Sequence, residues 1–570
     1  MSDTDPTTGL EPPATLPDAL ERAAERWGER GIGMIDNRGR LGELRGFATL
    51  HQRAGETAAR LQGLGVGERE PILVCLPTSE EFLDAWFGAV LLGAWPVAIG
   101  PPGGMGATDF QLRRIDSVRE RIGARRVICR TAVRDEARRL GLEELASSAL
   151  SPEELAAAEP AAAPARSQAG PGDVAFLQLT SGSTGVQRAV MITHRGAVHN
   201  PLAIQAALTE SLGASLPSLG GTGVSWLPLH HDMGLVGCVL ASLVGATDLW
   251  LSSPRTFLGR PHTWLRNISA FATTLAPAPN FGYQTCVEQI KEEKLDGVDL
   301  SGWRAAMTGA EMIRSETMLG FAERFEHLGF SPKAFMPCYG LAEATLAVTF
   351  DTSGLGVRTR RVPDEPDEKG SPARQVTCVG PPVIDTEVAI CAPDGAPLPD
   401  GVVGEVRVRG PGVFAGYHRD PEATAEALRD GWLVTGDLGF VQDGELHVTG
   451  RNKDILIVNG QNLMPHELEW LAEEVAGGGG ATRAGAFSIV CGNEGEKAVL
   501  AVEVAGVADG KGDALRELDR GIRIRIARVL AIPLADLVFV RRGRLPKTTS
   551  GKVQRGELRR QYERGELERI

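Results

Sequence analysis

At 570 residues the chain is too long for one ordinary core, so two or more cooperating domains are expected. Hydrophobic residues make up 42% and charged residues 23%, the balance of a soluble globular protein, and a formal net charge of −13 argues against a general nucleic-acid binder, which carries a basic field. The eight cysteines stand singly without CxxC spacing, which suggests neither a thiolate zinc site nor a redox motif.

The first 15 residues are acidic and rich in Pro and Thr, with no basic start and no apolar core. They are expected to be disordered and not to form a signal peptide. No apolar stretch approaches the length of a membrane span, so a cytoplasmic protein is expected. Leu16 to Trp27 and Thr49 to Leu64 carry helical apolar spacing. Pro71–Leu76 reads as a buried strand, Glu80–Leu92 as a helix and Trp95–Ile99 as a second strand, the order of a parallel sheet covered by helices. The pattern recurs with a strand at Arg126–Cys129 and a helix at Ala132–Leu140. Ser148 to Gly172 is Ala/Pro/Glu-rich and reads as a surface connection with room for one helical turn. A second breaker-rich stretch runs from Asp351 to Arg374. After it come short strands with turn signals, at Thr386–Cys391, Gly404–Arg409 and Gly444–Thr449, and from Lys453 onward enough alternation for a small α+β domain.

The chemistry concentrates in four segments. Val174–Leu179 reads as a strand feeding Thr180-Ser181-Gly182-Ser183-Thr184-Gly185, where glycines admit close approach of a phosphate and successive N–H groups form an anion nest. The GxxxxGK[ST] spacing of a Walker loop is absent. Tyr339-Gly340-Leu341-Ala342-Glu343 sets a ring, a tight glycine and a carboxylate together after an apolar run. Gly431 to Asp437 is a turn presenting a carboxylate suited to ribose hydroxyls, and Leu545 to Lys552 places a lysine on a Gly-hinged loop. Each alone could be structural: Glu343 an ion-pair partner, Asp437 a turn former, Lys552 a solvated cation.

In this order and spacing the segments resemble the core motifs of the adenylate-forming superfamily of acyl-CoA synthetases, peptide-synthetase adenylation domains and luciferases. The resemblance spans about Leu16 to Arg560. Ser225–Leu235 (SWLPLHHDMGL), Pro279–Tyr283 (PNFGY), Pro337–Thr345 (PCYGLAEAT) and Gly450–Asn462 (GRNKDILIVNGQN) are similar to the fatty acyl-AMP ligase branch, whose members load fatty acids onto carrier proteins. The implied fold is α/β: a large N-terminal domain of parallel sheets covered by helices plus a β-rich subdomain (16–452), then a small mobile α+β domain (453–570). Residues 351–374 sit where that branch carries an inter-domain insertion, or form a polar loop.

The resemblance also implies roles. Thr180 to Gly185 would hold the β- and γ-phosphates. Gly309, Ala310, Glu311, Tyr339 and Gly340 would frame the adenine. Asp437 and Arg451 would bind ribose, Glu343 with Thr184 would hold Mg2+, and Lys453 would be the hinge. Lys552 would contact the substrate carboxylate and the bridging phosphate oxygens. An acyl pocket is expected from Ser225–Cys238, Pro277–Tyr283 and Thr308–Ala310, including His231, Met233, Gly234, Phe281, Gly282 and Thr308. Gly234, Gly237 and Gly282 would leave room for a chain, and Trp226, Phe281 and Tyr283 would shorten it.

Where the superfamily commonly continues Pro-Lys-Gly, this chain has Val186-Gln187-Arg188, keeping a cation but not a compact ammonium. His230 and His231 beside Asp232 invite a metal reading, but adjacent histidines point differently and no third ligand is spaced for it; His231 suits a gate or wall of the acyl pocket, or a structural role. The late basic residues Arg520, Arg523, Arg525, Arg528, Arg541, Arg542, Arg544 and Lys547 suit either a solvated face with a basic loop or a dock for phosphates or an acidic partner. The expected activity is ATP- and Mg2+-dependent conversion of a carboxylic acid, of aliphatic type by resemblance, to acyl-AMP. Transfer to the phosphopantetheine thiol of an acyl carrier protein would follow, with no nucleic acid and no membrane span involved. Alternatives are transfer to coenzyme A, transfer to an amine, and an ATP-binding scaffold without turnover.

Overall fold

A computed structural model describes residues 11–102, 108–162, 167–180, 187–363, 375–458, 461–476, 483–490, 496–504, 512–530, 532–548 and 552–570. The local chemistry of the elements is visible in the helix Glu80–Leu92. Ser79 Oγ accepts from Phe82 N, Glu80 and Glu81 occupy the first turn, and Gly93 ends the helix in the left-handed region at φ +79°. The flanking strands Pro71–Cys75 and Trp95–Ala98 pair in parallel, as the strand–helix–strand order requires.

Six strands form one sheet, in the order Ala149–Leu150, Arg126–Cys129, Pro71–Cys75, Trp95–Ala98, Val174–Leu179 and Ala189–Thr193; all neighbours are parallel except the last pair. Within the Ser148–Gly172 stretch the chain is more ordered than a plain connection. Ala149–Leu150 joins this sheet, and Ser151 and Glu154 form a capping box for the helix Pro152–Ala157.

The second sheet has eight strands, in the order Ala347–Phe350, Phe335–Gly340, Trp303–Thr308, Thr274–Leu275, Thr222–Ser225, Asp248–Leu251, Gly31–Ile35 and Leu41–Gly46. Its interior is parallel and its two edge pairs antiparallel. A β-rich subdomain follows, an antiparallel sheet of Glu387–Cys391, Gly404–Arg409, Leu428–Arg429, Trp432–Gln442 and Glu445–Arg451. Its apolar side chains merge with the main core, where Trp226 stacks on Phe257 at 4.0 Å between ring centres.

The small C-terminal domain has its own core, including Leu468, Leu500, Ile522 and Phe539. It sets three strands (Ala484–Val490, Glu496–Val504, Leu534–Arg541) against the helices Pro465–Val475, Gly512–Leu530 and Arg555–Glu563. Part of the late basic cluster is neutralised there: Arg523 pairs with Asp519, Arg525 with Glu474, Arg544 with Glu568 and Lys547 with Glu503.

The described part of the 351–374 stretch adds a short hairpin, Thr359–Arg361 against Gln375–Thr377. Arg358 forks between Asp351 and Glu445, and Arg360 meets Asp443, so these contacts tie the hairpin to the β-rich subdomain; residues 364–374 lie outside the described part. No helix among the described residues is long and apolar enough to cross a membrane.

Candidate active site

The carboxyl ends of both parallel sheets open onto one cavity of about 470 Å³, walled also by the β-rich subdomain and the small domain. Open α/β sheets bind ligands at this edge because loops and backbone donors gather there.

At one end, the strand Phe335–Gly340 delivers Tyr339, and the strands Trp432–Gln442 and Glu445–Arg451 set Asp437 directly opposite Arg451. Asp437 accepts from Tyr339 Oη at 2.6 Å and from Arg451 Nε at 2.7 Å. Burial and the adjacent carboxylate push the Tyr339 phenol far above its ordinary range, so it stays a neutral donor. Gly340 is required where it stands, since a Cβ would fall 1.8 Å from the Leu346 carbonyl oxygen. The tight turn beyond it puts Thr345 at φ +67°, held by its hydroxyl donating to the Gly412 carbonyl at 2.6 Å.

That turn presents Glu343, which accepts from Tyr417 Oη at 2.8 Å. Burial raises the Glu343 carboxyl, against the pull of Tyr417 and Arg451 and helped by nearby Asp232. Arg188 lies over the Tyr417 ring at 5.3 Å and pairs with Asp420 at 3.3 Å, so its cation braces the Tyr417–Glu343 contact. Tyr417 escaped the sequence reading; the Gly416-Tyr417 pair ahead of a Pro-started helix was its only signal.

Thr180 follows the strand Val174–Leu179, its N–H donating to the Arg188 carbonyl at 2.9 Å and its hydroxyl accepting from Arg188 N at 3.1 Å. Ser181, Gly182, Ser183, Thr184 and Gly185 lie outside the described residues. Gly309 permits close passage of neighbouring strands, since a Cβ would meet Cys338 at 2.9 Å, and Ala310 holds a left-handed φ of +68° on the cavity wall. Glu311 is not among the residues lining the cavity and accepts from Phe281 N at 2.9 Å.

Lys552 enters from the small domain. Ahead of it, buried Glu503 accepts from Gly543 N, Leu545 N and Lys547 Nζ, and the Thr548 hydroxyl accepts from Lys552 N at 3.0 Å. Burial, and then the charges of Arg451 and Arg555, lower its ammonium from 10.5 to about 8, with Asp454 and Asp437 opposing. Lys453 lies in the turn Asn452–Asp454 that joins this domain to Arg451.

The apolar lobe is lined by Ile204, Gly237, Met307, Leu346, Ala347 and Phe350. Met233 and His231 also face the cavity. His231 Nδ1 lies 2.8 Å from Asp232; burial lowers the imidazole, but this carboxylate outweighs it and holds the ring above its ordinary value. Gly234, Phe281, Gly282 and Thr308 stand behind the wall. A Cβ on Gly234 would meet the Pro228 carbonyl at 2.4 Å and one on Gly282 the Trp226 ring at 2.8 Å, so their space is already filled. Tyr283 is fully buried with its hydroxyl donating to the Met307 carbonyl at 3.1 Å. Among the described residues no cluster of three His, Cys, Asp or Glu could hold a metal by itself.

The AMP-binding enzyme family matches residues 20–418. A Caulobacter vibrioides protein assigned as an acyl-CoA synthetase is 33% identical, covering 96% of this chain and 95% of that one. The medium-chain-fatty-acid–[acyl-carrier-protein] ligase JamA of Moorena producens is 33% identical over 69% of each chain. A solved structure from work on fatty acyl-adenylate ligases of E. coli and L. pneumophila superposes with a TM-score of 0.86 at 30% identity, covering 97% of this chain and 98% of that one. With the lysine, the Tyr339–Asp437–Arg451 group and Glu343 on one cavity, the chain belongs to the AMP-binding enzyme family, as an adenylate-forming acyl ligase.

Proposed function

We propose that the protein activates an aliphatic carboxylic acid as its acyl-adenylate and passes the acyl group to the phosphopantetheine thiol of an acyl carrier protein. The observation that carries this reading is the convergence of Lys552, Glu343 and an apolar lobe on one cavity. ATP would lie with its adenine along Ala310 and Tyr339 and its ribose at the Asp437–Arg451 pair. Each Asp437 oxygen has a second lone pair to offer beyond its protein donor. The acid's tail would occupy the lobe between Gly237 and Phe350.

The substrate carboxylate then attacks the α-phosphorus in line, forming the mixed anhydride as the bond to pyrophosphate breaks. Two anions must meet, so the site has to supply positive charge where negative charge gathers. Lys552 supplies it at the carboxylate and α-phosphate. Mg2+ fits as a partner of the polyphosphate: Glu343 offers one half-buried carboxylate on the cavity wall, and this ion is typically held by one or two carboxylates together with phosphates and water. When bound it would neutralise phosphate charge, with Thr184 as a second protein ligand.

We place the boundary of the mobile small domain at Lys453, and read the 351–374 stretch as the ligase-type insertion. Coenzyme A is the second reading for the acceptor, favoured by the assignment of the Caulobacter vibrioides relative, as the carrier is by the name of the Moorena producens one.

The test is a mass-resolved assay of the pure protein with ATP, Mg2+ and a panel of carboxylic acids, run without thiol, with coenzyme A and with a phosphopantetheinylated carrier. Acyl-AMP that accumulates alone and acylates only the carrier is the expected result. Efficient consumption of coenzyme A would replace the carrier reading by the synthetase one. No acyl-AMP from any acid would leave a nucleotide-binding scaffold.

A further inference from the structure

Helix Pro465–Val475 carries Glu469 and Glu473 one turn apart, hence on one face. Glu469 is buried and grips Arg555 with both oxygens at 2.7 Å, while Arg555 Nη1 reaches Asp454 at 3.0 Å. Arg555 opens the helix that begins three residues after Lys552, so this clamp fixes the start of that helix to the face of Pro465–Val475. Glu473 points to the large domain. Its carboxylate accepts from Ala484 N at 3.1 Å and meets Arg314 Nη1 at 3.7 Å. The same guanidinium lies 5.7 Å over the ring of Trp470 on that helix. Arg314 is anchored at its root, its backbone N–H donating to Asn280 Oδ1 at 2.9 Å, and most of its side chain is covered. Through one shared helix, Arg314 of the large domain is thus linked by Glu473 and Glu469 to Arg555, three residues after Lys552.

We propose that Arg314 is a positioning residue for the adenylation step: it docks the helix Pro465–Val475 so that Lys552 reaches the cavity. The proposal rests on the adenylation reading above and adds the residue that selects the productive arrangement of the two domains. Once the anhydride exists and pyrophosphate has left, the charge of Lys552 has no further task at the reacting bond. Loss of Arg314 should therefore fall on the first half-reaction and spare the second.

The test compares the intact protein with Arg314→Ala, Arg314→Lys and Glu473→Gln; the last keeps the acceptor for Ala484 N and removes only the charge. Two rates are read, acyl-AMP formation from ATP and decanoate, and acyl transfer from supplied decanoyl-adenylate to pantetheine. Acetylation of Lys552 by acetic anhydride, followed by mass spectrometry, reports docking without any turnover. Arg314→Ala should slow acyl-AMP formation about tenfold, leave transfer within about twofold, and speed Lys552 acetylation severalfold. Arg314→Lys should recover part of the loss, and Glu473→Gln should shift both readouts in the same direction as Arg314→Ala, which keeps the test alive if the alanine variant fails to fold. Parallel loss of both half-reactions, or adenylation and Lys552 labelling both at the unmodified level, would overturn the proposal. If the unmodified protein makes no acyl-AMP, the functional reading fails instead, and the labelling alone decides the docking.

Discussion

Lys552 is held where its charge is expensive. Burial and two neighbouring guanidinium groups bring its ammonium to about 8, against 10.5 in an unfolded chain. Below pH 8 both states carry the proton and the folded state bears the full penalty. Between pH 8 and 10.5 the unfolded chain binds the proton that the folded one has released, so stability rises with pH across that window. Lys552→Met is therefore predicted to melt higher than the unmodified protein at pH 7, with the difference closing as pH approaches 10. The same variant should lose acyl-AMP formation while binding ATP within about tenfold, since one preorganised cation is worth on the order of 10²–10³ in rate. Thermal melting across pH, with ATP titration and product detection at pH 7, checks both halves. A variant that melts lower at every pH, or that keeps its adenylation rate, removes the argument.

At the scale of elements, much of the framework was readable because it depends on local chemistry. The helix Glu80–Leu92 and the strands Arg126–Cys129 and Gly404–Arg409 fall where periodicity and punctuation place them. What could not be read was whether a glycine makes room or fills it, because that depends on residues distant in the chain. Gly234 and Gly282 are pressed against Pro228 and Trp226. Gly237 instead lies on the cavity wall in the π-helical turn Leu235–Leu240, where a Cβ would first meet the flexible end of Leu346, at 2.8 Å. The Tyr417–Glu343 bond was hidden for the same reason, joining residues 74 apart. Gly282 and Gly237 are predicted to respond differently to substitution. Gly282→Ala should cost about 1–3 kcal/mol of stability by overpacking against a buried indole, with little change in acid preference. Gly237→Val should narrow the apolar lobe and shift preference toward shorter acids with a smaller effect on folding. Denaturant titration and a chain-length series distinguish them; equal stability losses and an unchanged length profile for Gly237→Val would mean that the lobe does not hold the acyl chain.

For the whole molecule, the arrangement suits the proposed adenylation step and not the proposed transfer to a thiol. Lys552 fills the side of the cavity that the small domain closes, and Arg555 holds Asp454 while Arg451, three residues earlier, holds Asp437. The polypeptide between these anchors is the 3₁₀ turn Asn452–Asp454, with Lys453 at its centre. On the proposed transfer a thiol approaching the anhydride would need a passage, and withdrawing Lys552 by a hinge here would change the backbone dihedral angles of this turn. Proline suits a 3₁₀ turn, whose φ lies near its fixed value of roughly −65°, but resists departure from it. Lys453→Pro is accordingly predicted to form acyl-AMP at a rate within about twofold of the unmodified protein and to transfer the acyl group at least about tenfold more slowly, as expected when a conformational step limits turnover. Proline also crowds the residue before it in helical conformation, here Asn452, so melting is measured alongside. If both half-reactions slow equally in a variant that melts normally, the turn at Lys453 is a fixed corner of the active site, and the passage for the thiol must open by movement elsewhere.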